Sequence, residues 1–344
     1  MYSILIYAAS AILGIYLIAK GADWVTDSLV PVARRFGTSN LAVGLILVSM
    51  LLSLPEIIVA IFSIFSGHTG LAIGLTIGSV VVNIGLVVGL SALIRPLRAS
   101  QSMLLRDGLF MVIIAIITVL LASDLVITPV EGIVFLLLFV PYIVNVFEEE
   151  KKVHPDERAK VEDHILMSLK FAGRLDPHEF ELHSGSLSFV LGGAMLTIGA
   201  WIFADALVNF AMFLTQAFST LPASRLDFLI GMSIGAIGPS IPNIAAGINA
   251  TRRGYEELAV SETIGSNIFT LLITLGLVAV LHPPGSPLAI DAPSFYVNSL
   301  SMLFMSFLLI LFMHKGWVLR RDGLALVLTY LVILCLQIIF ALYF

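Results

Sequence analysis

The chain has 344 residues, of which 59% are hydrophobic and only 12% are charged. A soluble domain has about a quarter charged residues, so this composition excludes an ordinary water-facing surface and predicts an all-α integral membrane protein. The formal net charge is −5, and the sequence contains no basic patch that would indicate a nucleic-acid partner. The single cysteine, Cys335, excludes an intrachain disulfide.

Apolar segments along the chain predict ten transmembrane helices, because many of them reach the roughly 20 residues that cross a bilayer. The first and sixth segments are the longest, which predicts that they tilt. The polar stretch 148–185 is interpreted as a solvated cytoplasmic loop between two five-helix units, 1–147 and 186–344. The predicted spans are 3–32, 41–66, 70–94, 107–123, 127–147, 187–216, 226–250, 258–281, 294–314 and 323–343.

The basic residues predict the orientation of these spans. Sixteen of the 18 Lys and Arg residues fall in alternate connections, whereas the opposite face has only Arg225, and Lys20 lies within the first span. The positive-inside rule makes the basic connections cytoplasmic, so both termini are expected outside. Short connections and the lack of a targeting segment favour a prokaryotic cytoplasmic membrane.

The sequence contains an internal repeat. At an offset of 187 residues, segment 44–96 matches segment 231–283 without a gap. Each half has five spans, an odd number, so the second half enters the membrane from the opposite face, as in many secondary transporters. Shared Gly, Pro and Ser, which apolar composition does not explain, include Gly44/Gly231, Ser53/Ser240, Pro55/Pro242, Ser79/Ser266 and Gly89/Gly276.

The segment Ser53-Leu54-Pro55-Glu56 is placed in the middle of the second predicted span. A proline within a helix frees the carbonyl four residues earlier, here that of Leu51. A carboxylate at mid-membrane costs at least ~2.5–3.5 kcal/mol on insertion scales, so Glu56 needs a partner or a role. Hydroxyl, carbonyl and carboxylate oxygens suit Na⁺ or Ca²⁺. The structural alternative is a proline kink beside a protonated, hydrogen-bonded Glu56.

Three further spans contribute polar residues at matching positions. Segment 238–243 repeats the serine and proline and ends in Asn243. The structural alternative to a ligand role for Asn243 is a hydrogen bond between two helices. Spans 3 and 8 each place two polar residues at i and i+4, on one helix face. Those pairs are Ser79 with Asn83 and Ser266 with Thr270.

The repeated Ser-(Leu/Ile)-Pro-(Glu/Asn) and Gly-Ser-x-x-x-(Asn/Thr) elements resemble the alpha-repeats of the calcium/cation antiporter superfamily, which includes the sodium/calcium exchangers. The resemblance implies ten helices in the sodium/calcium exchanger fold, no cofactor, and inorganic cations as partners, principally Na⁺ and Ca²⁺. The sequence itself gives no sign of an obligate protein partner. The ligands that it implies are Ser53, Glu56, Ser79, Asn83, Ser240, Asn243, Ser266 and Thr270, with backbone carbonyls near Ser49 and Ala236.

The sequence departs from the usual pattern of this superfamily at several positions. Leu52 and Pro239 stand where it has threonine, and Asn243 replaces the second glutamate. Glu56 is therefore the sole implied ligand that can carry charge, which balances one Na⁺ or H⁺ but leaves Ca²⁺ with a net +1 in low dielectric. Glu262, eight residues before Thr270, could supply a second acid, but a carboxylate near the water-facing start of span 8 is the favoured interpretation.

Four functions remain open. A sodium/calcium exchanger-like antiporter follows from the resemblance, with spans 1 and 6 sliding across a rigid core. A cation/proton or monovalent-cation antiporter follows from the single carboxylate, Glu56. An intramembrane enzyme is disfavoured because the spans contain no Ser/Lys dyad, paired catalytic Asp or His-Glu metal motif. A channel is disfavoured because broken helices in inverted repeats are typical of carriers.

Overall fold

The structure, a computed structural model, describes residues 2–35, 53–150, 185–218, 221–283 and 288–343. These residues form helices joined by short connections, and the all-α prediction is confirmed. The helices are α1 Tyr2–Arg35, α2 Leu54–Phe65, α3 Thr69–Ile94, α4 Gln101–Asp124, α5 Pro129–Glu150, α6 Gly185–Ala217, α7 Ala223–Arg252, α8 Glu256–Leu281, α9 Ala292–Met313 and α10 Arg320–Tyr343.

Eight of these helices are long and apolar enough to cross a membrane. The described part of α2 and the apolar part of α5, Pro129–Asn145, are shorter, so the number of ten crossings stays a prediction. Large apolar side chains cover the outer faces of the peripheral helices, as lipid contact requires; on α9 these include Leu300, Phe304 and Leu311. Of the predicted 148–185 loop, residues 148–150 belong instead to α5, and residues 151–184 lie outside the described part of the chain.

The two longest helices, α1 with 34 residues and α6 with 33, pack against each other in antiparallel fashion. Their contact is built on four glycines that let the backbones approach closely. A Cβ added at Gly14 would lie 2.8 Å from Phe203 Cβ, and one added at Gly199 would lie 2.7 Å from Leu17 Cβ. Gly21 and Gly192 meet in the same reciprocal way, so we name these four residues the glycine seam.

Helices α3 and α7 run parallel at the centre of the bundle. A Cβ added at Gly70 would lie 2.8 Å from Ser224 O, and one added at Gly78 would lie 2.8 Å from Ala236 Cβ. The start of α8 lies at the other end, where Arg95 Nε is 2.8 Å from Glu256 Oε1 just after the end of α3. Helices α3 and α8 therefore run in opposite directions, as the inverted repeat predicts.

Helices α3 and α8 share a local irregularity. A π-helical turn covers Asn83–Val88 in α3 and another covers Thr270–Thr274 in α8. Their first residues are 187 positions apart, which is the offset of the sequence repeat. Further π-helical turns occupy Leu104–Gly108 in α4 and Gly231–Gly235 in α7. Such turns occur frequently at functional sites.

Four two-residue strands tie the connections together at the two ends of the bundle. Strand β1, Leu97–Arg98, pairs antiparallel with β4, Trp317–Val318, and β2, Val126–Ile127, pairs with β3, Leu288–Ala289. Each pair joins connections that the sequence places on the same face of the membrane. The packing thus agrees with the predicted alternation of the helices.

Candidate cation site

The eight residues implied as ligands lie on the four central helices α2, α3, α7 and α8 or directly before them. All eight side chains are buried, with Asn243 the most exposed at 3%. The set combines hydroxyl, amide and carboxylate oxygens from both repeats, and Glu56 is its single charged member.

Ser53 and Glu56 are held by the start of α2. Ser53 directly precedes the helix, and Pro55 lies in its first turn, where a missing N–H is least costly. A proline break in the middle of the predicted span 41–66 also involves the residues before Ser53, which lie outside the described part of the chain. The carbonyls proposed there, those of Leu51 and Ser49, lie outside the described residues.

Ser240 and Asn243 are held by α7, which continues through Pro239 and Pro242 without interruption. Both side chains turn toward the carboxylate of α2. Ser240 Oγ donates to Glu56 Oε1 at 3.2 Å, and Asn243 Nδ2 approaches the same oxygen at 3.4 Å. One oxygen of Glu56 is therefore occupied by α7, and these contacts cross between the two repeats.

Ser266 of α8 joins the remaining helices. Its Oγ is 2.9 Å from Ser53 Oγ, 3.4 Å from Asn243 Nδ2 and 3.5 Å from Asn83 Nδ2. The structure thereby places Ser53, Asn83, Asn243 and Ser266 in one buried network, which also includes Glu56 and Ser240 through the contacts on α7. Ala236, whose carbonyl was implied as a ligand, is buried directly after the π-helical turn of α7.

Five of the eight residues keep a buried oxygen atom that makes no hydrogen bond within the described part of the chain. Most buried polar atoms in proteins have a partner, so a cluster of five requires an explanation. Oxygen ligands of this kind are what Na⁺ and Ca²⁺ prefer. The atoms are Glu56 Oε2, Ser79 Oγ, Asn83 Oδ1, Asn243 Oδ1 and Thr270 Oγ1.

Ser79 and Thr270 belong to this cluster by position and not by hydrogen bonding. Each lies one helical turn from a network member, Ser79 before Asn83 and Thr270 after Ser266, on the same helix face. Asn83 and Thr270 also begin the two repeat-related π-helical turns. The unpartnered side-chain oxygens of Ser79, Asn83 and Thr270 can therefore serve as ligands of a cation.

One buried participant, Asn267, was missed by the sequence analysis. Asn83 Nδ2 donates to Asn267 Oδ1 at 3.1 Å, and Asn267 Nδ2 lies 3.5 Å from Met111 Sδ of α4. The signal that could have found it is an amide in an apolar span at a position where the first repeat has Val80. Its contacts tie the network to α4.

The interpretation of Glu262 as a water-facing carboxylate is wrong. Its side chain is only 6% exposed, and its Oε1 makes no hydrogen bond in the described structure. Glu262 lies six residues after the first residue of α8, about 9 Å along the helix axis, where neighbouring helices cover it.

Comparisons with known proteins agree with this architecture. Among the relatives found, the sodium/calcium exchanger MaX1 of Methanosarcina acetivorans is 28% identical over 350 residues, covering 94% of this chain and 96% of that protein. The putative antiporter CaxA of Alkalimonas amylolytica is 28% identical over 310 residues and is covered over 90% of its length, as is this chain.

Solved structures of the sodium-calcium exchanger NCX_Mj share the fold. The form soaked with zero Na⁺ and Ca²⁺ superposes with a TM-score of 0.60 at 23% identity, covering 96% of this chain and 98% of that one. The form soaked with 2.5 mM Na⁺ and 10 mM Sr²⁺ gives a TM-score of 0.63 at 22% identity, covering 96% and 99%. This likeness confirms the exchanger fold.

The family assignment rests on sequence. The model of the family described as "Sodium/calcium exchanger protein" matches residues 6–148 and 184–339, which include both alpha-repeats and all eight residues of the candidate site. The chain therefore belongs to the sodium/calcium exchanger protein family.

Proposed function

We propose that this protein exchanges Na⁺ for Ca²⁺ across a membrane by alternating access, and that the exchanged cations bind at the Glu56-centred cluster. The observation that carries the proposal is the set of five buried oxygens, contributed by helices of both repeats, that have no hydrogen-bond partner among the described residues. A dehydrated cation needs several such oxygens to replace its water, and unpaired buried oxygens are costly without one.

Glu56 has a distinct role in this proposal. Its Oε1 accepts from Ser240 and Asn243, which orients the carboxylate, while its Oε2 has no hydrogen-bond partner in the described part of the chain. Oε2 is thus the negatively charged oxygen that faces the cation. Neutral oxygens of Ser79, Asn83 and Thr270 would complete the coordination.

Exchange requires that one site opens to each face in turn. The glycine seam brings the backbones of α1 and α6 into direct contact, so these two helices can shift as a pair relative to the packed central helices. Because Na⁺ and Ca²⁺ compete for one set of oxygens, release of one cation is linked to binding of the other.

Proton or monovalent-cation antiport is the second candidate. It is favoured by the contact between Asn243 and Glu56, because Asn243 stands where the superfamily has its second carboxylate. With one carboxylate, the eight residues balance a single positive charge. Glu56 would then carry a proton or one Na⁺ per cycle.

The orientation and cellular location are part of the same proposal. Both termini would lie on the outer side of the cytoplasmic membrane. Segments 1–147 and 186–344 would be the two five-helix repeats, and segment 148–185 would connect them on the cytoplasmic side. The uneven distribution of Lys and Arg supports this arrangement.

Uptake of ⁴⁵Ca²⁺ into proteoliposomes that contain the purified protein tests the proposed exchange. Uptake would be compared with an outward Na⁺ gradient, with an outward proton gradient and with neither. We expect uptake that requires the Na⁺ gradient. Uptake driven by protons alone would favour the second candidate, and no uptake in any condition from folded protein would contradict Na⁺/Ca²⁺ exchange.

A further inference from the structure

Glu262 is a buried carboxylate outside the eight-residue cluster. It is 6% exposed, and within the described residues its Oε1 has no hydrogen-bond partner and its carboxylate belongs to no ion pair. A carboxylate without a counter-charge is expensive at such a position, so intramembrane acids usually mark an ion pathway.

Glu262 lies next to the cluster along α8. It precedes Ser266, the centre of the hydrogen-bond network, by one helical turn, which is about 6 Å along the axis and on the same helix face. The side chain of a helical residue leans toward the start of its helix. The carboxylate therefore lies between the network and the end of the bundle where Arg252 and Arg253 connect α7 to α8.

A second unpartnered oxygen lies in the same part of the bundle. Ser91 Oγ of α3 is fully buried, makes no hydrogen bond in the described structure, and is 3.2 Å from a Cβ added at Gly247 of α7. That same point is 3.8 Å from Ala259 Cβ, and Ala259 lies three residues before Glu262 on α8. Helices α3, α7 and α8 thus meet beside the unsatisfied hydroxyl of Ser91, within one helical turn of Glu262 along α8.

The carboxylate has no counterpart in the first repeat. The equivalent position is Leu75, a fully buried apolar residue one turn before Ser79. Because α3 and α8 start at opposite ends of the bundle, Leu75 and Glu262 flank the cluster on opposite sides. Of these two repeat-related positions, only the one on α8 has an acid.

We infer that Glu262 forms a second Ca²⁺-binding position on the route between the Glu56-centred cluster and the Arg252–Arg253 end. The inference rests on the proposed function and deepens it. Together Glu56 and Glu262 supply two negative charges, which match a divalent cation that moves between them. A monovalent cation is already balanced at Glu56 and gains less from the second acid.

The test is sided ⁴⁵Ca²⁺ exchange in right-side-out and inside-out membrane vesicles. We expect Glu262→Gln to raise the half-saturating Ca²⁺ concentration at least about tenfold at the face of the Arg252–Arg253 connection, with little change at the opposite face. Glu257→Gln is the matched control, because it removes the same charge from the same helix five residues closer to the connection. Glu262→Asp keeps the charge and should shift the value less than Glu262→Gln.

Three outcomes would overturn the inference: an unchanged half-saturating concentration in Glu262→Gln, an equal change at both faces, or the same shift in the Gln and Asp variants. Equilibrium binding of ⁴⁵Ca²⁺ to purified protein separates this failure from that of the proposed function. If wild type binds and exchanges Ca²⁺ and only Glu56→Gln loses binding, the cluster stands and Glu262 has no part. If wild type neither binds nor exchanges Ca²⁺, both proposals fail.

Discussion

Glu56 and Asn243 occupy equivalent positions in the two repeats and contact each other across the centre of the molecule. The distance between Asn243 Nδ2 and Glu56 Oε1 is 3.4 Å. The amide donates where a second carboxylate would repel, so it stabilises the carboxylate of Glu56 without a bound cation. The replacement of a carboxylate by the amide of Asn243 also leaves less negative charge to bind a divalent cation.

Asn243→Asp should make the protein less stable without a bound cation and should increase its affinity for a divalent cation. Two carboxylates within hydrogen-bond distance repel each other, so the variant should unfold at a lower temperature than wild type in the absence of divalent cations. Added Ca²⁺ should restore its stability, and its apparent Ca²⁺ affinity should rise about tenfold because ligand charge sets affinity at such sites.

Thermal unfolding of the purified variant with and without Ca²⁺ measures both effects. Asn249→Asp, the same change on α7 six residues further along, serves as the control and should respond little to Ca²⁺. Equal behaviour of the two variants would remove Asn243 from the site.

Residue identity and spacing predicted which residues lie in the cluster, but they did not predict which residues surround it. The repeat and the family resemblance led to all eight residues, and the structure brings six of them into one network. Asn267 and the burial of Glu262 were not foreseen, because both depend on how α3, α4 and α7 cover α8. Distance along the sequence from a polar connection is a poor measure of burial when neighbouring helices overlap.

At the scale of helices, the glycine seam is the contact on which the proposed sliding depends. A Cβ added at Gly192 would lie 2.7 Å from Trp24 Cβ and 2.8 Å from the backbone nitrogen of Val25. The next residue, Gly193, has no atom within 4 Å of an added Cβ. The pair offers two substitutions of identical chemistry with different steric consequences.

Gly192→Ala should force α1 and α6 apart and lower both thermal stability and exchange rate, with a cost of about 1–3 kcal/mol for overpacking. Gly193→Ala should leave exchange unchanged and raise helix stability by up to ~1 kcal/mol. Thermal unfolding and ⁴⁵Ca²⁺ uptake of both variants provide the measurement. Similar losses in the two variants would show that the seam has no special role.

The sequence predicted the length of α1 and α6 and the start and end of most helices to within a few residues. It did not indicate the π-helical turns at Asn83–Val88 and Thr270–Thr274, because such a turn is defined by its backbone hydrogen bonds and not by the spacing of polar and apolar residues. Only the backbone structure shows that both turns start at repeat-related residues, Asn83 and Thr270. In α2, Pro55 lies in the first turn of the described helix, and the part of the predicted span before Ser53 lies outside the described residues.

At the scale of the molecule, the inverted repeat and the basic connections lead to a definite topology. Both termini and the α4–α5 connection should face outside, and the α9–α10 connection should face the cytoplasm. Cys335 is the sole cysteine, so a Cys335→Ser background permits single reporter cysteines to be introduced. Ser123 in the last turn of α4, directly before the α4–α5 connection, and Lys315 in the α9–α10 connection are exposed.

A membrane-impermeant maleimide should label Ser123→Cys in intact cells and should label Lys315→Cys only after the membrane is permeabilised. Labelling of both in denatured protein controls for reactivity. The reverse pattern would invert the molecule in the membrane, and it would place Glu262 on the outer route to the cluster.

The Glu56→Gln variant tests the central claim, that the exchanged cations bind at the Glu56-centred cluster, most directly. Glutamine keeps the size and the contacts to Ser240 and Asn243 but removes the charge that faces the cation. Na⁺-driven ⁴⁵Ca²⁺ uptake by proteoliposomes would be measured for wild type, Glu56→Gln and the control Glu257→Gln, with thermal unfolding as the check on folding. We expect that folded Glu56→Gln takes up no more ⁴⁵Ca²⁺ than empty vesicles, whereas Glu257→Gln matches wild type. Wild-type exchange in Glu56→Gln would contradict the account.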